Sequence, residues 1–214
     1  MRHITRLFKS LVLAAALPLA MVGTAQATLV DVGTQTGTFS GNTRGFWFTA
    51  PTDFTITGVG LPTTASNGTF DVAILLLNNN PPLFSGSTND FSTLLLARGG
   101  VGSDLLSTNI VVHTGDIIGV LGSRGGVNSY GASPYATDIL GHGVTLARLG
   151  MQFDLRNTDP KNLWTEQGGS ISRVLLNVEA TPAPSNNTVP EPASLSLLAL
   201  GLLGLGVARK RQTR

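Results

Sequence analysis

Phe70-Asp71-Val72-Ala73-Ile74-Leu75-Leu76-Leu77 decides the fold. Seven of its eight residues are apolar, and they fill odd and even positions alike. The run is too short for a typical buried helix, and breakers flank it: Asn67-Gly68 in front, Asn78-Asn79-Asn80-Pro81-Pro82 behind. A short apolar run between turn signals reads as a strand covered on both faces, hence the centre of a layered β structure. Asn67-Gly68 fits the positive φ of a type I′ hairpin turn leading into it.

Outward from this strand the chain keeps the same rhythm. Between Thr28 and Ala180 no stretch free of glycine and proline exceeds twelve residues, which leaves little room for ordinary helices. Further strands are expected at 44–49, 53–60, 93–98, 108–113, 116–122, 144–149, 151–155 and 171–179, with the central one at 69–77. Phe54 and Ile56 alternate with Thr55 and Thr57. Val174, Leu176 and Val178 alternate with Arg173, Asn177 and Glu179, with Leu175 the exception. Such segments have one wet and one buried face. Thr114-Gly115-Asp116 is a turn, and so is Leu61-Pro62-Thr63-Thr64-Ala65. The expected fold is all-β: an antiparallel two-sheet sandwich, jelly-roll-like, with no internal repeat.

The two ends differ from this body. Arg2, Arg6 and Lys9 precede an apolar run from Ser10 to Met21, and Ala25-Gln26-Ala27 fits a small-residue cleavage site. Residues 1–27 therefore read as a signal peptide, with the mature chain starting at Thr28. The β-sandwich body covers 28–180. Residues 181–188, with Pro182, Pro184, Ser185, Asn186 and Asn187, form a flexible linker. From Ala193 to Ala208 the chain is Leu-, Ala- and Gly-rich, and Arg209-Lys210-Arg211 follows. Sixteen helical residues reach about 24 Å, close to the lower limit for a membrane span. The basic cluster acts as a membrane stop held on the cytoplasmic side.

Val189-Pro190-Glu191-Pro192, then this short apolar helix, then the basic cluster resembles the PEP-CTERM sorting signal of Gram-negative bacteria. The resemblance covers 189–214. It implies a transiently membrane-anchored protein processed by an exosortase-type transpeptidase near Pro190-Glu191-Pro192. It also implies delivery to the cell surface or extracellular matrix, in company with exopolysaccharide. Pro190 and Pro192 keep the motif extended and outside the helix.

The basic character of the whole chain belongs to its ends. Between residues 28 and 188 stand seven Lys/Arg and eleven Asp/Glu, so the body carries −4 and does not read as a nucleic-acid binder. Cysteine is absent, which excludes disulfides, thiolate metal sites and cysteine nucleophiles.

No catalytic constellation stands out. His113 with Asp116, and Asp138 with His142, match no metal signature. Asp154, Asp159 and Glu166 are the carboxylates a glycoside hydrolase would draw on, and there is no Gly-x-Ser-x-Gly elbow. No cofactor is expected; Asn78, Asn79, Asn80, Asn89 and Asp90 form the one oxygen-rich stretch of calcium type. Sugar binding calls for aromatic platforms beside amides. Tyr130 and Tyr135 lie in an expected loop from Gly125 to Gly143, and Trp164 in another from 156 to 169. Trp47 is expected to face the core or be half-buried. The leading expectation is a non-enzymatic structural or adhesive surface protein. The alternatives are a glycan-binding module and a secreted hydrolase.

Overall fold

The computed structural model describes residues 26–102 and 105–181. The signal segment through Ala25, the linker, the sorting motif, the apolar helix and the basic cluster lie outside them. The described chain is all strands and turns. It runs β1 (Thr28–Leu29), β2 (Gly37–Ser40), β3 (Arg44–Thr49), β4 (Phe54–Gly60), β5 (Phe70–Leu77), β6 (Phe91–Gly100) and β7 (Leu106–Val112). It continues through β8 (Ile117–Arg124), β9 (Val127–Ala132), β10 (Tyr135–Ile139), β11 (His142–Gly150), β12 (Trp164–Glu166), β13 (Ser170–Ser172) and β14 (Leu175–Ala180). Among the described residues no helix is long and apolar enough to cross a membrane.

Two antiparallel sheets form. The smaller has the order β1-β14-β4-β7. The larger runs β10-β11-β3-β8-β5-β6, with β9, β12, β13 and β2 attached beside this path. Eight strands account for the topology: β1, β3, β4, β5, β6, β7, β8 and β14. They pair first with last, second with seventh, third with sixth and fourth with fifth. Four nested antiparallel pairs, rolled so that alternate pairs fall in opposite sheets, are a jelly roll. Because β1 pairs with β14, Thr28 lies opposite Val178, and the start and end of the described body are neighbours.

The central strand behaves as its composition requires. Phe70, Val72 and Ile74 of β5 join the core between the sheets, with Phe46, Phe48, Ile118 and Val120 from the larger sheet and Phe54, Ile56 and Val178 from the smaller. The opposite face of β5 carries Ala73, Leu75 and Leu77 into a second core with Leu149, Met151, Leu155 and Leu163. The larger sheet is thus covered twice, once by the smaller sheet and once by the segment 151–166. A fully buried Leu, Ile or Phe side chain contributes about 1.5–3 kcal/mol, so an apolar strand with two buried faces anchors both layers.

Several local expectations give way. Segment 151–155 is not a strand; it crosses the second core in turns, tied by the amide of Thr43 to the Phe153 carbonyl. The expected loop 125–143 contains β9 and β10, and the loop 156–169 contains β12. The run 171–179 splits at Arg173 and Val174: β13 pairs with β9 in the larger sheet, and β14 joins the smaller. Asn67-Gly68 is no type I′ turn. Neither residue has positive φ, and the connection carries the chain from the smaller sheet to the larger. Gly68 is needed for contact instead: a Cβ there would lie 2.8 Å from the Cα of Gly125. Thr55, expected on a wet face, is buried, its hydroxyl 3.4 Å from that of Thr181.

Candidate functional site

Between β8 and β14 the jelly roll carries an insertion, β9 to β13, which brings most of the aromatic and cationic side chains outside the cores. β11 extends the larger sheet beyond β3, β12 lies against β11, and β9 supports β2 and β13. Where these ribbons meet, rings and guanidinium groups interleave. Phe39 and Tyr130 stack in parallel with centroids 5.9 Å apart. The Arg44 guanidinium lies 5.2 Å from the Phe39 ring and 4.9 Å from that of Trp164. Arg148 sits between Tyr130 and Trp164, at 5.5 and 5.7 Å. Its Nε is 3.1 Å from Glu166, its cross-strand neighbour. Arg44 also donates to the carbonyls of Thr43 and Met151. Burial lowers the Arg44 pKa and raises that of the Tyr130 hydroxyl.

This stack forms the back of an open recess of about 320 Å³, near the lower end of ordinary ligand sites. Phe84, Phe153 and Trp164 supply its apolar lining; Ser85, Ser87, Gln152 and Asn162 supply its polar groups. Phe84 is half exposed and meets Trp164 edge-on at 4.9 Å. The loop that carries it is held at both ends by strand-like bonds. The Thr165 amide donates to the Pro82 carbonyl, and Thr88 and Leu163 exchange both backbone bonds. Asn162 has φ +50°, a conformation unusual outside glycine, and two hydrogen bonds with Asn89 keep it there. The indole N–H of Trp164 has no partner among the described residues. A second recess, along Trp47, Thr49, Val144 and Thr145, offers only threonine hydroxyls as polar side-chain groups.

Of the three aromatics singled out from sequence, Tyr130 and Trp164 come together through Arg148. Tyr130 is half-buried and Trp164 fully buried, so Trp164 serves as floor rather than platform. Tyr135 stands apart, donating its hydroxyl to Asp31 at 2.8 Å and packing on Gly33. That bond holds the Asp31 carboxyl below its ordinary value and raises the Tyr135 pKa. Trp47 is half-buried, its indole donating to Thr165. Sequence reasoning passed over Phe84, Phe153, Gln152 and Lys161. An aromatic inside Phe84-Ser85-Gly86-Ser87 was the available signal.

The carboxylates are dispersed. Asp154 pairs with Arg156, Asp159 with Arg98 and Glu166 with Arg148. Burial pushes Asp154 upward, but hydrogen bonds from the Arg156 side chain and backbone outweigh it and leave its pKa lowered. Asn78 and Asn79 direct amide nitrogens at Asp90. Asp116 and Asp138 accept backbone amides of their own turns, from His113 and Gly141. Among the described residues no group of three or more His, Cys, Asp or Glu converges as metal ligands would.

Beyond the body, residues 188–211 match the family model of the PEP-CTERM protein-sorting motif. The chain carries a PEP-CTERM sorting motif. The match takes in Val189-Pro190-Glu191-Pro192, the apolar stretch and Arg209-Lys210-Arg211. The PEP-CTERM motif implies export, transient membrane anchoring and exosortase processing on the way to the cell surface. No curated protein matches the chain, and no solved structure does.

Proposed function

We propose that the body is a non-enzymatic, adhesive component of the cell surface or extracellular matrix that contacts exopolysaccharide through the Phe84–Trp164 recess. One observation carries this reading: a half-exposed ring, two carboxamides and two serines line a recess backed by a cation–aromatic stack. Apolar surface beside fixed amides and hydroxyls suits the mixed faces of a sugar ring. The acids a hydrolase would use are each bound to a separate arginine, whereas glycoside hydrolysis needs two carboxylates facing each other across a bond, about 5–9.5 Å apart.

The test is a titration of the purified protein with a panel of polysaccharide fragments, followed by tryptophan fluorescence. Quenching or a shift that disappears in Phe84→Ala is the expected result. Turnover of any fragment, abolished in Asp154→Asn or Glu166→Gln, would replace adhesion by hydrolysis.

A further inference from the structure

We propose that the recess selects an acidic sugar, a uronate unit of a polysaccharide, with Lys161 as the cation that meets its carboxylate. This rests on the glycan reading and adds the charge class of the ligand.

Three observations converge. First, Lys161 is the only lysine between residues 28 and 188, in a body of net charge −4. Its Nζ lies 4.2 Å from the ring of Phe153, which lines the recess. Second, the other cations are committed. Arg98, Arg148 and Arg156 have carboxylate partners. Arg44 and Arg124 are buried and donate to backbone carbonyls, and Arg173 donates to Gly33 and Ser129. Among the described residues Lys161 forms no ion pair.

Third, the recess is biased toward donors. The Gln152 Oε1 accepts from Asn42 and faces Arg44. Arginine only donates, so the amide oxygen must point that way and Nε2 is left over. Asn162 likewise spends its Oδ1 on Asn89, leaving Nδ2. No Asp or Glu lines the recess. Two amide donors, two hydroxyls and a nearby ammonium suit a ligand rich in acceptors, and a carboxylate most of all. Elsewhere the body's own negative charge repels such a polymer, which confines binding to this spot and makes it salt-sensitive.

The experiment uses the full chain in zwitterionic detergent and measures calorimetric affinity for three tetrasaccharides: oligogalacturonate, its methyl ester and neutral cellotetraose. The acid is expected to bind at least tenfold more tightly than the ester, with the difference shrinking in high salt. Lys161→Gln should remove that preference, Lys161→Arg should keep it, and Phe84→Ala should weaken all three sugars. Each variant is accepted only if it melts as the wild type does. Equal affinity for acid and ester, unchanged by Lys161→Gln, overturns the charge assignment and leaves the glycan reading standing. Absence of binding to every sugar removes both. Binding indifferent to Phe84→Ala places the site elsewhere and overturns the proposal.

Discussion

At the scale of single residues the tightest constraint is Gly45. It sits in β3 between two partners, and a Cβ there would lie 1.7 Å from the carbonyl oxygen of Val120. Backbone cannot retreat from both sheets at once, so Gly45→Ala should cost more than about 4 kcal/mol; denaturant unfolding, or failure to recover folded protein, measures it. Asp71 gives a milder test of opposite sign. It is 3% exposed, accepts the Gly99 amide through Oδ1 and leaves Oδ2 without a partner, while the Ser123 hydroxyl opposite is also unpaired. Burial raises its pKa above the ordinary 3.8. Between those values the folded state holds more protons than the unfolded one, so this group lowers stability as pH rises through the window. Asp71→Asn should therefore stabilise the protein by about 1 kcal/mol at pH 7. The gain should fade toward pH 3.8 in urea titrations, where both states of the wild type are protonated. Neither residue was legible beforehand. A glycine in a strand and an acid in an apolar run reveal their roles only when the neighbouring strand is known.

At the scale of elements, legibility followed periodicity. β3, β4, β5 and β8 lie within one or two residues of expectation, because each is a compact apolar or alternating run. The insertion was misread because Val127–Ala132 and Tyr135–Ile139 are full of Gly, Ser and Asn, residues that ordinarily mark loops. These strands hold through cross-strand partners rather than propensity. β2 pairs only with β9, and Arg44 bridges from Phe39 in β2 to Trp164 in β12. Arg44→Met keeps the bulk but forfeits both ring contacts and two carbonyl bonds. A loss of about 2–4 kcal/mol is expected, with hydrogen exchange at Thr38 and Ser40 accelerating more than in β5. Uniform acceleration would show that the stack does not clamp this ribbon.

For the whole molecule, the sandwich was readable from strand length, turn spacing and the absence of long breaker-free stretches. The nested pairing and the recess were not, since both depend on which distant segments meet. The sorting motif was legible because it is local: three features in order within residues 188–211. Its processing gives a direct measurement. Mass spectrometry of the mature protein should find an N-terminus at Thr28, the first residue of β1, and loss of the residues after Pro190-Glu191-Pro192. Replacing Glu191 should block that loss without changing the melting of the body, to which 189–192 contribute no described contact. A mature form ending at Arg214 would make the tail a permanent anchor.

The pairing of β14 with β1 on one side and β4 on the other has a mechanical consequence. A protein moored through whatever follows Thr181 receives any pull from flow or a stretched matrix along the axis of β14. Antiparallel ladder bonds lie across that axis, so the load shears them together instead of peeling them one by one. The strand that takes the strain is thus the one gripped from both sides, and the mooring point is built to hold under tension.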